Sequence, residues 1–444
     1  MNATTNKIST LSKLYVWSIS LESLLFFVIL NPDVIGVTAN ISKLLQLLVL
    51  TVLFFHFSML YVARMPSPFS SFNKWFFYYF IFAIVSGIFG FLSGAYKNEI
   101  YDMTATNALS ISIRPLFEYF ILLYYFIYFT ILPRYILNNS KSIEYFFKIF
   151  VSLFFIVLFV GFGDLLMMKI ISGYDGLPRH LSDGTQVGWR FHGFAGEPRD
   201  AFSYLMLGLG ILVLRDMWSG EKKLNKYLIT LIFVAASLTQ SASGLIGLLF
   251  SGLLMVLFLF FKFTNGQKVK YLILFITVVF FIVISASFSD RIMLYYDALF
   301  ELIPSLKDSG RVDSILSVTM NNIYPLWQRW LEISEFNLLP TLIGTGLGST
   351  SVINNNFFNT FEVMNPNANI IRSLYEVGII GTYLFVYAFL NPIKKIKLFK
   401  YEYLMLTMLM LLMLGMFFAH RSVLPFLFIG VVLAAFNCKL SRKN

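Results

Sequence analysis

The sequence predicts an all-α polytopic integral membrane protein of about twelve transmembrane helices. Three observations carry that prediction. Of the 444 residues, 58% are hydrophobic and 13% charged, and the mean hydropathy is +0.74. A soluble domain has too little polar surface to enclose so much apolar side chain. The apolar residues also gather into runs close to the roughly 20 residues a helix needs to cross the hydrocarbon. Finally, the loops between those runs differ sharply in Lys and Arg content, as the two faces of a membrane require.

Taken in order, the apolar runs lie near 14–30, 44–63, 75–94, 111–132, 145–168, 198–215, 227–240, 243–261, 271–287, 367–390, 401–418 and 421–437. The first follows Lys7 and Lys13 and carries Glu22 within it. With further spans behind it, it reads as a retained first span rather than a cleaved signal. The 227–261 stretch is divided into two runs by Gln240–Ser243. An even number of spans puts both termini on one side. The loops on that side hold about 21 of the 34 basic residues, which makes it cytoplasmic. Two long loops, 169–197 and 288–366, then face outward. Residues 1–444 form a single polytopic domain with no repeat of fixed period. Within the second loop, Arg291–Ile303 and Ile315–Ile333 are expected to lie on the membrane, with Trp327 and Trp330 at its interface.

The charges separate by type as well as by side. The inner set holds 17 Lys and 4 Arg, the outer set 4 Lys and 9 Arg, and 19 of the 23 carboxylates are also outer. Topology alone does not require that reversal. Lysine is a hydrated anchor, whereas arginine offers a planar fork to phosphate oxygens. Pairing of outer arginines with outer carboxylates is the plainer explanation. Because the net charge of +11 is distributed over these loops, it does not indicate nucleic-acid binding. The single cysteine, Cys438, excludes an intramolecular disulfide and a Cys-based metal site.

Three constellations could carry chemistry. The first runs from Arg179 to Asp200 and contains Arg190, His192, Gly193, Glu197, Pro198 and Arg199. Pro198 suits the first turn of the next helix, and Glu197 and Asp200 suit its N-terminus. Capping accounts for those carboxylates; Arg179, Arg190, Arg199 and His192 instead suggest an anion site. The second begins with Gly344, Gly346 and Gly348 and continues through Asn367 to Arg372, Ser373 and Glu376. No strand precedes these glycines, so a dinucleotide site is rejected. Arg372 and Glu376 share a helix face within a span, where ionisable residues are functional candidates, and at i,i+4 they can also neutralise each other. The third comprises Arg114 and Glu118 at the start of one span, with His420 and Arg421 between the last two. Metal-protease, P-loop and nucleophile-elbow motifs are absent, so any bond-forming energy must arrive with the substrate.

At these residues the chain resembles the O-antigen polymerase and O-antigen ligase family. Arg190, Gly193, Glu197 and Pro198 look like the family's Arg-Gly-Glu-Pro stretch, and Gly344, Gly346 and Gly348 like its glycine turn. Leu374, Glu376, Gly378 and Gly381 are similar to its pattern entering the next span. Where the ligases carry a His-Asn pair, this chain has Asn367-Ala368, which disfavours ligase. The family arginine before a tryptophan has Arg311 or Arg329 as its match. The resemblance implies a GT-C-like, metal-independent and cofactor-free glycosyltransferase at the outer face of the bacterial cytoplasmic membrane. It would polymerise undecaprenyl-diphosphate-linked repeat units into O-antigen, capsule or exopolysaccharide, possible alternatives being a ligase or a lipid-linked oligosaccharide transporter. The implied partners are the lipid-linked donor and acceptor, the bilayer and a chain-length regulator. The implied roles are Arg190, Arg199, Arg372 and Arg311 for the diphosphate and Glu197, His192 or His420 for the base. Arg179, Arg114, Glu376, Asn367 and Arg421 are in support.

Overall fold

The structure, a computed structural model, describes residues 8–22, 24, 28–30, 39–56, 67–96, 106–174, 176–177, 190–195, 198–220, 226–240, 269, 276, 338–350, 369–395, 406–407, 409–410 and 423–441. These residues are helical apart from turns and one short antiparallel ladder. In chain order they form α1 (Thr10–Ser20), β1 (Val28–Leu30), β2 (Ala39–Asn40), α2 (Ile41–His56) and α3 (Ser67–Leu92). Then come α4 (Thr106–Tyr125), a π-helical turn (Phe126–Ile131), α5 (Leu132–Ile136) and α6 (Ser140–Ile170). A 3-10 turn (Gly193–Ala195) leads to α7 (Pro198–Ser219) and α8 (Lys226–Leu238). The remaining elements are α9 (Leu338–Ile343), α10 (Asn369–Lys395) and α11 (Val423–Ser441).

Five stretches among the described residues are long and apolar enough to cross a membrane: Ser71–Leu92, Leu116–Ile136, Ser140–Ile170, Asp200–Ser219 and Arg372–Lys394. They match five of the expected spans, and the protein is an α-helical, membrane-embedded one. Shorter apolar helices occupy Ile41–Leu53, Tyr227–Leu238 and Val423–Cys438. The expected span at 243–261, that at 271–287 apart from residue 276, and the amphipathic segments at 291–303 and 315–333 fall outside the described residues.

The first expected span requires correction. Its helix stops at Ser20, and residues 28–30 pair as a strand with 39–40. Glu22 follows just after the helix end. It is buried against α2, where it accepts from Ser42 Oγ at 2.8 Å and from Lys43 Nζ and Gln46 Nε2. A buried carboxylate requires such partners.

Packing follows sequence periodicity most clearly on α3. Phe72, Phe76, Tyr79, Ala83, Ser86 and Gly90 are buried at alternating steps of four and three, the seam of a helix pair, and their partner is α10. Phe77, Ile81, Ile88 and Phe91 are exposed on the other side, where lipid is the natural solvent. Rings from α3, the π turn, α10 and α11 interlock: Phe76 stacks on Phe126 at 4.4 Å, and Phe389 meets Phe426 edge-on at 5.1 Å. Such pairs add about 0.5–1.5 kcal/mol each beyond burial.

Helix α7 lies innermost, with residues 201–214 all buried. Its glycines explain how. A Cβ at Gly208 would stand 2.0 Å from the Phe154 ring of α6, and one at Gly210 2.7 Å from the Phe428 ring of α11. Small residues let rings fill the space that side chains would occupy.

Candidate functional site

Two buried charged clusters stand out, each built on its own set of helices. The first is organised by a break in α10. Gly378 has φ 64° and ψ −174° inside that helix, so carbonyls in the turn before it lose their ordinary partners. The chain leaving α9 supplies replacements. Thr345 N donates to the Tyr375 carbonyl at 2.9 Å and Gly346 N to the Glu376 carbonyl at 2.7 Å. Ser86 Oγ of α3 donates to that same Glu376 carbonyl at 2.6 Å and accepts from Gly346 N at 3.0 Å.

Glycine is needed here for both conformation and space. Gly344, Gly346 and Gly348 have φ of 82°, 95° and 82°. A Cβ on Gly344 would lie 2.4 Å from Gly378 N, and one on Gly378 2.3 Å from the Leu342 carbonyl oxygen. The turn thus nests against the helix break, backbone to backbone. On its far side Tyr96 donates to the Leu347 carbonyl at 2.9 Å. Burial, with the neighbouring Tyr119 phenol and Glu376 carboxylate, pushes the Tyr96 phenol well above its ordinary range and keeps it a donor.

This nest presents the Glu376 carboxylate to Arg372. Glu376 Oε1 accepts from Arg372 Nε at 3.0 Å, Gly348 N at 3.0 Å and Thr350 Oγ1 at 2.6 Å. Arg372 Nη2 reaches across to Glu118 Oε1 of α4 at 3.4 Å. All three charged residues are at most 2% exposed. The i,i+4 pairing anticipated for Arg372 and Glu376 exists, but Glu118 makes the cluster two carboxylates to one guanidinium. Tyr79, Leu347, Ser373, Val377 and Phe385 complete a cavity of about 10 Å³ beside it, room for about one water.

The second cluster forms where the chain returns from 169–197. Phe191 N donates to the Leu238 carbonyl at 2.8 Å, docking this segment on the C-terminal end of α8. Arg190 Nη2 donates to the Gln240 carbonyl at 2.9 Å and Nε to Gln240 Oε1 at 3.4 Å. A helix C-terminus carries partial negative charge, so a guanidinium is well placed there. His192, 1% exposed, turns both ring nitrogens toward acceptors: Nδ1 toward the Gly193 carbonyl at 3.1 Å and Nε2 toward Asp164 Oδ2 at 3.5 Å. The other oxygen of Asp164 takes Tyr174 OH at 2.8 Å and Leu177 N at 2.9 Å. That bond to the carboxylate, aided by burial, raises the Tyr174 phenol above its usual value. Gly161 allows this approach, since a Cβ there would lie 2.4 Å from the Phe191 ring.

Of the residues singled out from sequence, Arg190, His192, Asp200, Glu118, Arg372, Ser373 and Glu376 are described with their side chains, and Pro198 starts α7 as expected. Arg199 and Arg114 lie on α7 and α4, with their side chains outside the described set. Glu197, His420, Arg311, Arg179, Asn367 and Arg421 lie outside the described residues. Arg190 bonds to Gln240 just past α8 and His192 faces Asp164 of α6, whereas Arg372 and Glu376 bond to α4 and the glycine turn. Asp164 and Gln240 did not stand out from sequence. For Asp164 a signal existed, since it is a lone carboxylate inside the 145–168 apolar run.

Fold and site together define a class: a membrane-embedded helical protein with buried arginine–carboxylate chemistry. Comparison with family models, curated proteins and solved structures returns no match.

Proposed function

We propose that the chain polymerises undecaprenyl-diphosphate-linked oligosaccharide repeat units by glycosyl transfer, at the outer face of the bacterial cytoplasmic membrane. One observation carries the reading. Two stretches through which the sequence resembles the O-antigen polymerases, the glycine turn and the Glu376–Gly381 pattern, meet as a single unit. Gly344 nests on Gly378, and Gly348 N binds the Glu376 carboxylate. Motifs that touch across roughly thirty residues of chain make a built site more economical than two chance matches.

In this reaction the acceptor hydroxyl attacks the anomeric carbon of the donor. The bond from that carbon to the diphosphate oxygen breaks, and its electron pair leaves on the diphosphate. The acceptor's proton passes to a base. Arg190 is the leading diphosphate ligand, joined by Arg199 and Arg311; donors aimed at the leaving oxygens stabilise charge as it develops. Arg372 already serves two carboxylates, so its role is to organise the glycine turn and to present a polar wall. Glu197 leads as base; His192 follows, with Nδ1 bonded to the Gly193 carbonyl at 3.1 Å, and His420 comes third. Twelve spans, cytoplasmic termini and a chain-length regulator as partner belong to the same proposal.

The break in α10 also suits a transporter, since transporters build mid-membrane sites from interrupted helices. Here the freed carbonyls of Tyr375 and Glu376 are occupied by the glycine turn instead of lining a cavity, which favours transfer. A disruption mutant separates the cases. Surface glycan capped at one repeat supports polymerisation, loss of all attached polymer supports ligation, and repeat units retained on the cytoplasmic face support transport. Arg190→Ala and Glu197→Ala should abolish chain extension while the protein still reaches the membrane. Normal polymer from both variants would sink the assignment.

A further inference from the structure

Helix α8 ends at Leu238, and the chain turns through Thr239 and Gln240. Gln240 has φ 49°, and among the described residues it is the one non-glycine residue in the left-handed region. A helix C-terminus often ends on such a residue, but glycine or asparagine ordinarily fills it, because a longer side chain is strained there. The cap itself does not ask for glutamine: the bond from Gln240 N to the Ser237 carbonyl at 3.0 Å uses backbone alone. What the residue adds is a grip on Arg190. Its carbonyl, aimed by the left-handed turn, accepts from Nη2 at 2.9 Å, and its side-chain oxygen accepts from Nε at 3.4 Å.

Those two acceptors hold one edge of the guanidinium and so fix both its plane and its direction. Both are neutral oxygens of a single residue. Backbone strain kept in a buried place persists where the surroundings over-determine it, and such places are commonly functional. Arg190 is itself 8% exposed, which leaves its orientation to the protein and not to solvent.

We propose that Gln240 is a positioning residue that aims the Arg190 guanidinium at a diphosphate; this rests on the reading of Arg190 as the diphosphate ligand. Strain at Gln240 is then the cost of pointing a carbonyl and an amide at the same edge.

The test uses the full-length protein in detergent with farnesyl diphosphate as probe, reading melting temperature and Kd together. Gln240→Asn suits the left-handed turn better but is one carbon too short for Nε. It should melt at or above the wild-type temperature while Kd weakens about tenfold, the size of one lost hydrogen bond to a charged group. Gln240→Glu keeps the reach but pairs with the guanidinium, and should weaken Kd further without loss of fold. Arg190→Ala should bind no probe. If both Gln240 variants bind within about twofold of wild type while Arg190→Ala does not bind, Gln240 is not a positioning residue and the reading of Arg190 survives. If binding falls only in step with melting temperature, Gln240 is purely structural and the proposal is overturned. If Arg190→Ala binds as wild type does, or the wild type does not bind, the diphosphate reading fails and this proposal with it.

Discussion

Arg372→Ala is the perturbation whose cost the structure sets most directly. The guanidinium bonds Glu376 through Nε at 3.0 Å and Glu118 through Nη2 at 3.4 Å, and both carboxylates are at most 1% exposed. Removing the cation leaves two buried carboxylates without its charge. Breaking a buried pair on one side costs about 3–5 kcal/mol, because the remaining buried charge loses its compensating partner. Arg372→Lys should recover only part of this, since one ammonium cannot reach along both directions; losing one charged hydrogen bond costs roughly 1.5–3 kcal/mol. The triple variant Glu118→Gln, Arg372→Met, Glu376→Gln removes every charge yet keeps acceptors for Gly348 N and Thr350 Oγ1. Its stability should return to within about 1 kcal/mol of wild type. Reversible unfolding in mixed micelles with titrated SDS measures all three. If Arg372→Ala costs less than about 1 kcal/mol, or the triple variant is as unstable as the single one, the charge-pairing argument is refuted. In the polymerase reading the triple variant is also informative: folded, membrane-inserted and unable to extend chains.

Two further outcomes follow from the same geometry. Gly344→Ala should destabilise by roughly 2–4 kcal/mol, combining a left-handed residue with overpacking, because its Cβ meets backbone of Gly378 at 2.4 Å and Glu376 at 2.5 Å; a melting-temperature comparison with Gly94→Ala, where nothing lies within 4 Å of the added carbon, isolates the packing part. Tyr174 has its phenol raised by its bond to Asp164. For a group whose folded value is raised, that stabilisation is complete below the ordinary phenol value near 10 and is lost as pH climbs through the raised one. Tyr174→Phe should therefore lower stability at neutral pH and flatten the alkaline limb of a stability–pH curve; an unchanged alkaline limb would show that the bond contributes nothing.

Much of the architecture was legible because membrane helices announce themselves locally. The runs at 75–94, 111–132, 145–168, 198–215 and 367–390 each correspond to a helix in the structure, with α7 starting at the anticipated Pro198. Failures occurred where one residue answered to a distant partner. Glu22 was seen to interrupt an apolar run, but Ser42, Lys43 and Gln46, which bond its carboxylate, lie about twenty residues on. The π turn at Phe126–Ile131 left no signal in composition, and neither did the break at Gly378, a glycine like others in the spans.

The sites divide along the same line. By itself the sequence determined that this is a helical membrane protein, that arginine and carboxylate are concentrated in a few stretches, and that Arg372 and Glu376 share a helix face. Those are consequences of hydropathy and of a 3.6-residue period, both readable over a short window. Only the tertiary structure decided that Glu118, 254 residues before Arg372, completes that cluster, that Asp164 meets His192, and that Gln240 holds Arg190. Such contacts depend on which helix faces meet and at what depth. Packing of side chains from separate spans sets that, and no local pattern in the chain records it.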